Sequence, residues 1–515
     1  MTGLSRLSVF NPLGTVRILQ NIPLDNTYSD TIDFKGTGSV TQEAYFSSKT
    51  KYFIDNVTVI NVSNNTFTAP YAADLLYDCN YIMFQNKNFN NKWFYAFITD
   101  ISWLSPNSSR ITYELDVMQT WLTEVDIYPS FVDREHTNDD TIGSNLVEES
   151  LEQGEYVSTQ DLKVPELNDI AIMITSTVDK SNSSVSGSMR GNMYTGVGYF
   201  LFESAEEANS YLDALTDDNK STAVLSITMF PKNFYSTSSA TPKAIEFSMN
   251  KPYKTISGYT PKNNKLFTAP YNILSVTNTV GNSAEYKYEY SNDSEIKFSL
   301  IGETSANPQI TLIPLNYRGA AENLTEQLVL SGYPQCAWST DTYRAWLAQN
   351  GTVTQIGLIS TGVNAAVGVG TSLASGNLIG AATTAFSGIT SIATTMARIN
   401  EIKTRPPQSQ GNQSPGSMLT YGEFNYHFYT LQISADFARQ IDDFFSMYGY
   451  KVNRVKQPNV TGRKNWNYVK LLEPKIVGSI PFGDIAKIKQ IYSNGITRWH
   501  NPSTALSYTA DNSIV

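Results

Sequence analysis

Cysteine is nearly missing from this 515-residue chain, and histidine is scarce. Two cysteines, Cys79 and Cys336, cannot build a disulfide framework, and no Cys-x-x-Cys pair or Cys/His cluster has zinc-ligand spacing. Both are expected to be buried as small hydrophobes. The three histidines, His136, His427 and His500, are far apart and expected in three separate structural contexts, so a nucleophile with a His base has no local signature. There is no Gly-x-Ser-x-Gly elbow, no His-Glu-x-x-His and no glycine loop ending in Gly-Lys-Ser/Thr. The acids Asp133, Glu135, Asp139 and Asp140 lack the fixed glycine and terminal glutamate of a calcium loop, and a solvated loop is expected there. No metal, cofactor or catalytic residue is expected. A formal charge of −10 argues against a surface that wraps nucleic acid throughout, leaving open only a local basic face. The start, MTGLSRLSVFNPLG, lacks a basic region followed by an apolar core, which predicts synthesis and first folding in a cytosol. Sequons such as those at Asn56, Asn61 and Asn107 then reflect only a chain rich in Asn, Ser and Thr.

The most telling deficit is local. From Ala345 to Ala397, 53 residues pass without one Asp, Glu, Lys or Arg. Between Gly351 and Ala397, glycine and alanine contribute eight residues apiece and Phe386 is the only aromatic. Each ion at mid-bilayer costs roughly 2.5 to 3.5 kcal/mol, so omitting all of them keeps the stretch near neutral toward hydrocarbon. A spanning helix needs about 20 predominantly apolar residues. The two best runs, Gln355 to Gly370 and Leu378 to Ala393, are shorter and are interrupted by Asn364 and several Ser and Thr. This pattern predicts a helical hairpin of modest hydrophobicity. Its apolar contacts would come from Ile356, Leu358, Ile359, Val363, Val367, Val369, Leu373, Leu378, Ile379, Phe386, Ile389 and Ile392. Gly376 and Gly380 give the small-xxx-small spacing that lets apolar helices approach closely. A buried Ala/Gly-rich core helix or a flexible linker is the alternative reading of the same residues.

What is present elsewhere reads as mainly β. Aromatics make up 12% of the chain, including 31 Tyr, in short alternating runs broken by turn residues. Asn91 to Trp103, a turn at Ser105 to Ser109 with Pro106, and Arg110 to Val117 predict a hairpin. In it Ile111, Tyr113, Leu115 and Val117 face inward, and Thr112, Glu114 and Asp116 outward. Glu203 to Leu215 predicts a helix, Glu285 to Tyr290 a strand, Lys297 to Leu315 two strands split near Ser305 to Asn307, and Asp341 to Leu347 a short amphipathic stretch. Pro406 to Ser417 reads as a linker, followed by a strand with Phe424, Tyr426 and Phe428. Ser434 is a candidate N-cap, followed by Phe437, Ile441, Phe444, Phe445 and Tyr448 at helical spacing and Gly449 as a stop. A second helix, Asp484 to Tyr492, is expected to bury Ile485, Ile488 and Ile491 or Tyr492 and to stop at Gly495. At about 100 to 200 residues per domain the length suggests three or four units. The expected division is an N-terminal β domain over 1–136, an inserted middle domain over 137–265, a β domain over 266–340, the uncharged loop with its linker over 341–418, and a C-terminal β domain with two short helices over 419–515.

Lys451 to Lys475 carries seven basic residues, among them Lys451, Arg454, Lys456, Arg463, Lys464 and Lys470, against the single acid Glu473, with Trp466 and Tyr468 interleaved. Such a run suits single-stranded nucleic acid or a lumen facing phosphate. Alternatively it is a solvated strand face paired with acids on another subunit.

Several long ordered runs resemble one family. YIMFQNKNFNNKWFYAFITD (Tyr81 to Asp100), YELDVMQTWLTEV (Tyr113 to Val125) and SFVDREH (Ser130 to His136) are similar to the tail knob, or distal tail tube, proteins of small short-tailed phages of the Picovirinae type. So are TVRILQNIP (Thr15 to Pro23), YGYKVNRVKQPN (Tyr448 to Asn459), RKNWNYVK (Arg463 to Lys470) and IYSNGITRWH (Ile491 to His500). The runs cover both chain ends, while residues from about 136 to 266 match no motif of that family. The resemblance implies β-barrel or sandwich-like tube-wall domains built from both ends, and an apolar helical loop. It implies a homohexameric tube at the tail tip, joined to an upper tail tube or lower collar protein. Its loops would plug the lumen and on infection enter the host cytoplasmic membrane, with genomic DNA passing through without sequence-specific binding. The basic run would then belong to a subunit interface or the wall. A tail-associated cell-wall enzyme and a receptor-binding tail protein are the competing expectations.

Overall fold

A computed structural model of the chain describes residues 14–57, 65–86, 91–181, 189–190, 193–194, 198–220, 223–234, 244–278, 283–303, 309–318, 330–331, 337–339, 410–411 and 425–515. The uncharged segment with Ile356, Leu358, Ile359, Val363, Val367, Val369, Leu373, Gly376, Leu378, Ile379, Gly380, Phe386, Ile389 and Ile392 lies outside these residues. So do Cys336, the turn at 305–307, the stretch 341–347, the linker 406–409 and 412–417, and Phe424.

Mainly antiparallel sheets make up the described residues, as the sequence leads one to expect. Five α-helices accompany them: α1 (Ser39–Ser47), α2 (Val117–Trp121), α3 (Ala205–Asp217), α4 (Ala435–Tyr448) and α5 (Phe482–Asn494). The chain divides into two compact units. The first comprises Met1–Glu152, Pro261–Lys265 and Arg439–Val515, and the second Gln153–Thr260 and Leu266–Ala438.

In the first unit a six-stranded antiparallel sheet runs in the order Thr50–Val57, Gly14–Gln20, Cys79–Asn86, Trp93–Ser105, Ser108–Leu115, Thr66–Ala69. The expected hairpin is its spine: Trp93–Ser105 and Ser108–Leu115 pair down to Ser105 opposite Ser108, with Pro106 and Asn107 turning the chain. Ile111 and Tyr113 are buried in one core with Val16, Ile18, Phe67 and Ile82. Asp116 departs from the alternation. It is 1% exposed rather than outward-facing, because the strand ends at Leu115 and Asp116 caps α2 instead. Its carboxylate accepts from the Gln119 N–H at 3.0 Å and the Tyr81 hydroxyl at 2.8 Å.

A second, five-stranded sheet joins the two ends of the chain. Its order is Asp30–Ile32, Ile496–Trp499, Trp466–Glu473, Ser130–Glu135, Tyr450–Lys456, with only the first pair parallel. α2 and α5 contribute to the core beneath it, where Val117, Met118, Trp121, Ile488, Ile491 and Tyr492 meet Val132, Val469 and Leu471. Ile485 remains half-buried, so Tyr492 is the residue that completes the apolar face of α5.

The second unit holds three larger sheets. Tyr156–Lys163, His427–Ile433, Asn272–Thr277 and Ser283–Lys287 form one, and Ile245–Asn250, Glu295–Glu303, Gln309–Pro314 and Leu330–Ser331 another. Tyr286, Tyr288, Tyr426, Phe298 and Phe428 lie in the core that these two sheets share. The expected strand over Glu285 to Tyr290 stops at Lys287, and Tyr288–Tyr290 is a 3-10 turn in which the buried Tyr288 hydroxyl meets Thr430 Oγ1 at 2.8 Å. The third sheet, Gly198–Phe202, Ile170–Ser176, Val224–Pro231, Ala337–Ser339 and Gln410–Gly411, packs against α3 through Ala208, Tyr211, Leu212 and Leu215. α3 begins at Ala205, two residues later than expected. Ser204 accepts from the Glu207 N–H at 3.2 Å while the Glu207 carboxylate accepts from the Glu203 N–H at 3.4 Å, a reciprocal cap that leaves Glu203 outside.

Candidate functional site: the basic run and the acids that meet it

Basic residues near position 460 and acids near position 140 come together because Ser130–Glu135 lies between Tyr450–Lys456 and Trp466–Glu473. The register sets Arg134 opposite Lys451 on one side and Lys470 on the other. Like charges opposite one another repel, and acids placed around them offset that cost.

Glu135 is 1% exposed; its carboxylate receives the Lys456 ammonium and accepts the Asn459 N–H at 2.6 Å. Lys470 pairs with Asp133 at 3.3 Å. Glu149, also deeply buried, accepts from the Arg134 guanidinium, from Lys265 Nζ at 2.6 Å and from the Lys451 backbone N–H at 2.9 Å. Lys265 in turn lies over the Tyr450 ring at 5.3 Å, and Arg134 over Phe444 at 4.7 Å. Burial holds the Lys265 ammonium below its ordinary pKa, with the Glu149 charge acting against that shift. Arg463 is likewise lowered by burial, with the Asp140 charge opposing. Asp140 accepts from the Tyr450 hydroxyl and from the Asn264 N–H, and burial raises its pKa.

This arrangement revises three expectations. The acids are not a solvated loop: Asp133 and Glu135 belong to a strand, and Asp139 alone of the four is exposed. Lys456 and Lys470 find their acids within the same unit, so no other subunit is needed to neutralise them. Arg454, Lys464 and Lys475 are the members of the run that remain at the surface. Third, His136 and His500 share a neighbourhood around Trp466–Glu473. His136 Nδ1 accepts from the Tyr468 N–H at 2.8 Å and its Nε2 meets the Ser446 carbonyl at 3.1 Å. Those partners suit one neutral tautomer, and burial together with the Arg463 charge lowers its pKa to about 3. His500 Nε2 lies 2.9 Å from Asn467 Oδ1.

Lys265, Glu149 and Asp442 escape sequence reasoning. Asp442 sits fully buried on α4, where it accepts from the backbone N–H groups of Lys262 and Asn263 at 2.8 and 3.0 Å. No local pattern marks a carboxylate whose partners lie 179 or 180 residues away. Among the described residues, no cluster of three or more His, Cys, Asp or Glu has metal-binding geometry.

Residues 12–126 match the family described as caudoviral major tail protein N-terminus, and residues 231–513 the C-terminal domain of Bacillus phage phi29 tail knob protein gp9. Tail knob protein gp9 of Bacillus phage PZA is 26% identical, with 97% of this chain and 98% of that protein covered. The phi29 protein is also 26% identical and that of Bacillus phage B103 24%, with the same coverage. The fold is similar to the solved structure of the bacteriophage C1 tail knob protein, gp12, with a TM-score of 0.64 at 15% identity, covering 98% of this chain and 100% of that one. The protein is thus a structural component of a phage tail. Within that class, the chain belongs to the phi29 gp9 tail knob family, whose C-terminal-domain model spans more than half of it. The relatives are named as tail knob proteins and not as enzymes.

Proposed function

We propose that this chain forms the distal tube of a short-tailed phage as a homohexamer, that the uncharged loops plug its lumen, and that on infection they enter the host cytoplasmic membrane to make a channel for the genome. The observation that carries this reading is the run of 53 residues without an ionisable group inside a chain of the tail knob family. Six copies of a Gly- and Ala-rich hairpin can pack closely inside a tube, since small residues permit backbone contact. The same hairpin can enter lipid at low cost. A single copy is too weakly apolar for a permanent anchor, which suits a segment held in a particle until release. Among the described residues no helix is long and apolar enough to cross a membrane.

The walls are built from 1–136 and 419–515, a division supported by the sheet in which Ser130–Glu135 pairs with strands of the C-terminal segment. Val455, Leu472, Val477 and Phe482 are exposed at 53% to 86%, surface that subunit contacts would cover. Arg454, Lys464 and Lys475 belong to that interface or to the wall, and DNA passes without being held. A collar or upper tube protein joins the other end.

The test is dye release from liposomes by the assembled protein, compared with the full chain lacking 351–397. Release should depend on the segment while ring-like particles persist in both samples by negative-stain imaging. Intact vesicles in the presence of released loops would refute the membrane role, and a monomer in solution would refute the tube.

A further inference from the structure

A cavity of about 690 Å3 opens in the first unit beside the six-stranded sheet, with Arg17, Glu43, Gln85, Asn91, Trp93 and Tyr95 among its lining residues. That volume falls within the range of about 300 to 1,000 Å3 seen for small-molecule sites. Its chemistry is unusual for such a site, since amides, hydroxyls and charges outnumber apolar groups. Arg17 and Lys92 balance Glu43 and Glu124 in formal charge, and Lys92 is tied to Glu124 and to the Trp121 ring at 3.6 Å. A charge-balanced lining disfavours polyanions such as nucleic acid and free phosphates. Its polar groups disfavour hydrocarbon, which cannot satisfy them.

The remaining groups suit a polyol. Arg17 is fixed in place by its donation to Ser47 Oγ and by stacking 5.0 Å from the centre of the Trp93 ring. Glu43, Gln85 and Asn91 have no side-chain hydrogen-bond partner among the described residues, so the cavity presents a rigid cationic donor, an anionic acceptor and two amides that each donate and accept. Trp93 is only half-buried and offers aromatic surface beside them. We propose that this cavity binds a saccharide: hydroxyl and acetamide groups both give and receive hydrogen bonds, and the C–H face of a sugar ring packs on an aromatic side chain. Neither the described ion-pair network nor the membrane loop takes part in this site, so its failure would leave those readings standing.

Ligand-observed saturation-transfer NMR on the full chain, with the trisaccharide of N-acetylglucosamine as probe, tests the proposal. Saturable binding is expected, weakened about tenfold or more in Trp93→Ala and in Thr123→Arg and unchanged in Tyr128→Ser, an exposed residue outside the cavity lining. Thr123 is an exposed lining residue, so an arginine there obstructs the cavity without disturbing the core. Absence of saturable binding by the unaltered chain overturns the proposal, as does binding that survives both cavity variants. Binding of trialanine or inorganic phosphate in place of the sugar overturns it as well, by assigning the cavity to peptides or anions.

Discussion

Two buried groups give the first unit opposed responses to acid. His136 is held neutral by its two partners, and its pKa lies near 3 rather than the usual 6.5. Its contribution to stability is complete above about pH 6.5 and is lost as pH falls toward 3, because the unfolded chain takes up the proton first. Burial raises Asp116 to about 6, so its contribution runs the other way: it is complete below the ordinary carboxyl pKa of 3.8 and is lost as pH rises through about 6. Between roughly pH 4 and 6 the two oppose each other. We expect His136→Gln to flatten the acid side of a melting-temperature profile over pH 4 to 6.5; an unchanged slope would show that His136 is not the group responsible. Glu135→Ala strands the Lys456 charge and the Asn459 N–H together. Breaking a buried pair costs about 3 to 5 kcal/mol, and the partial exposure of Lys456 places the loss nearer the lower figure, which urea unfolding can measure.

Local elements were legible wherever a boundary depends on residues a few positions apart. Ser434 and Gly449 bracket α4 as the sequence suggests; the Phe437 N–H lies 3.5 Å from Ser434 Oγ, and Gly449 takes φ of 68°. A Cβ at Gly449 would sit 2.2 Å from the Glu135 carbonyl oxygen, so Gly449→Ala should cost more than the roughly 1 to 2 kcal/mol of a left-handed residue alone. The check is a fall of several degrees in melting temperature, with no change refuting it. Ser204→Ala removes the N-cap of α3 and should cost about 1 kcal/mol, read from the same experiment on the second unit's transition. Asp116 escapes the alternation because the apolar/polar pattern of the sequence runs past Leu115, where the strand itself stops. Glu149 and Lys265, 116 residues apart, carried no periodic signal at all. The basic run is visible in the sequence, but nothing local links it to its acids, because only the register of Ser130–Glu135 between two C-terminal strands unites them.

Over the whole molecule, the proposed role of the uncharged segment and the stability of the described sheets call for separate tests. A lysine at Ile379 should suppress liposome dye release, at a cost of roughly 2.5 to 3.5 kcal/mol per inserted charge, while melting of the two units stays the same. Equal release from Ile379→Lys would contradict the proposed route into lipid. The five-stranded sheet imposes a different constraint, one of timing. His136 bonds to a residue 332 positions later, and the strand ending at Glu135 has a neighbour on either side only after Trp466–Glu473 has left the ribosome. Translation must therefore pass Glu473 before the strand ending at Glu135 gains both neighbours, and polypeptides ended before Trp466 should remain open to protease across 130–152. A protease-resistant fragment from chains stopped before Trp466 would contradict this. A ribosome that stalls before Trp466 thus releases a chain in which the strand ending at Glu135 keeps one edge bare.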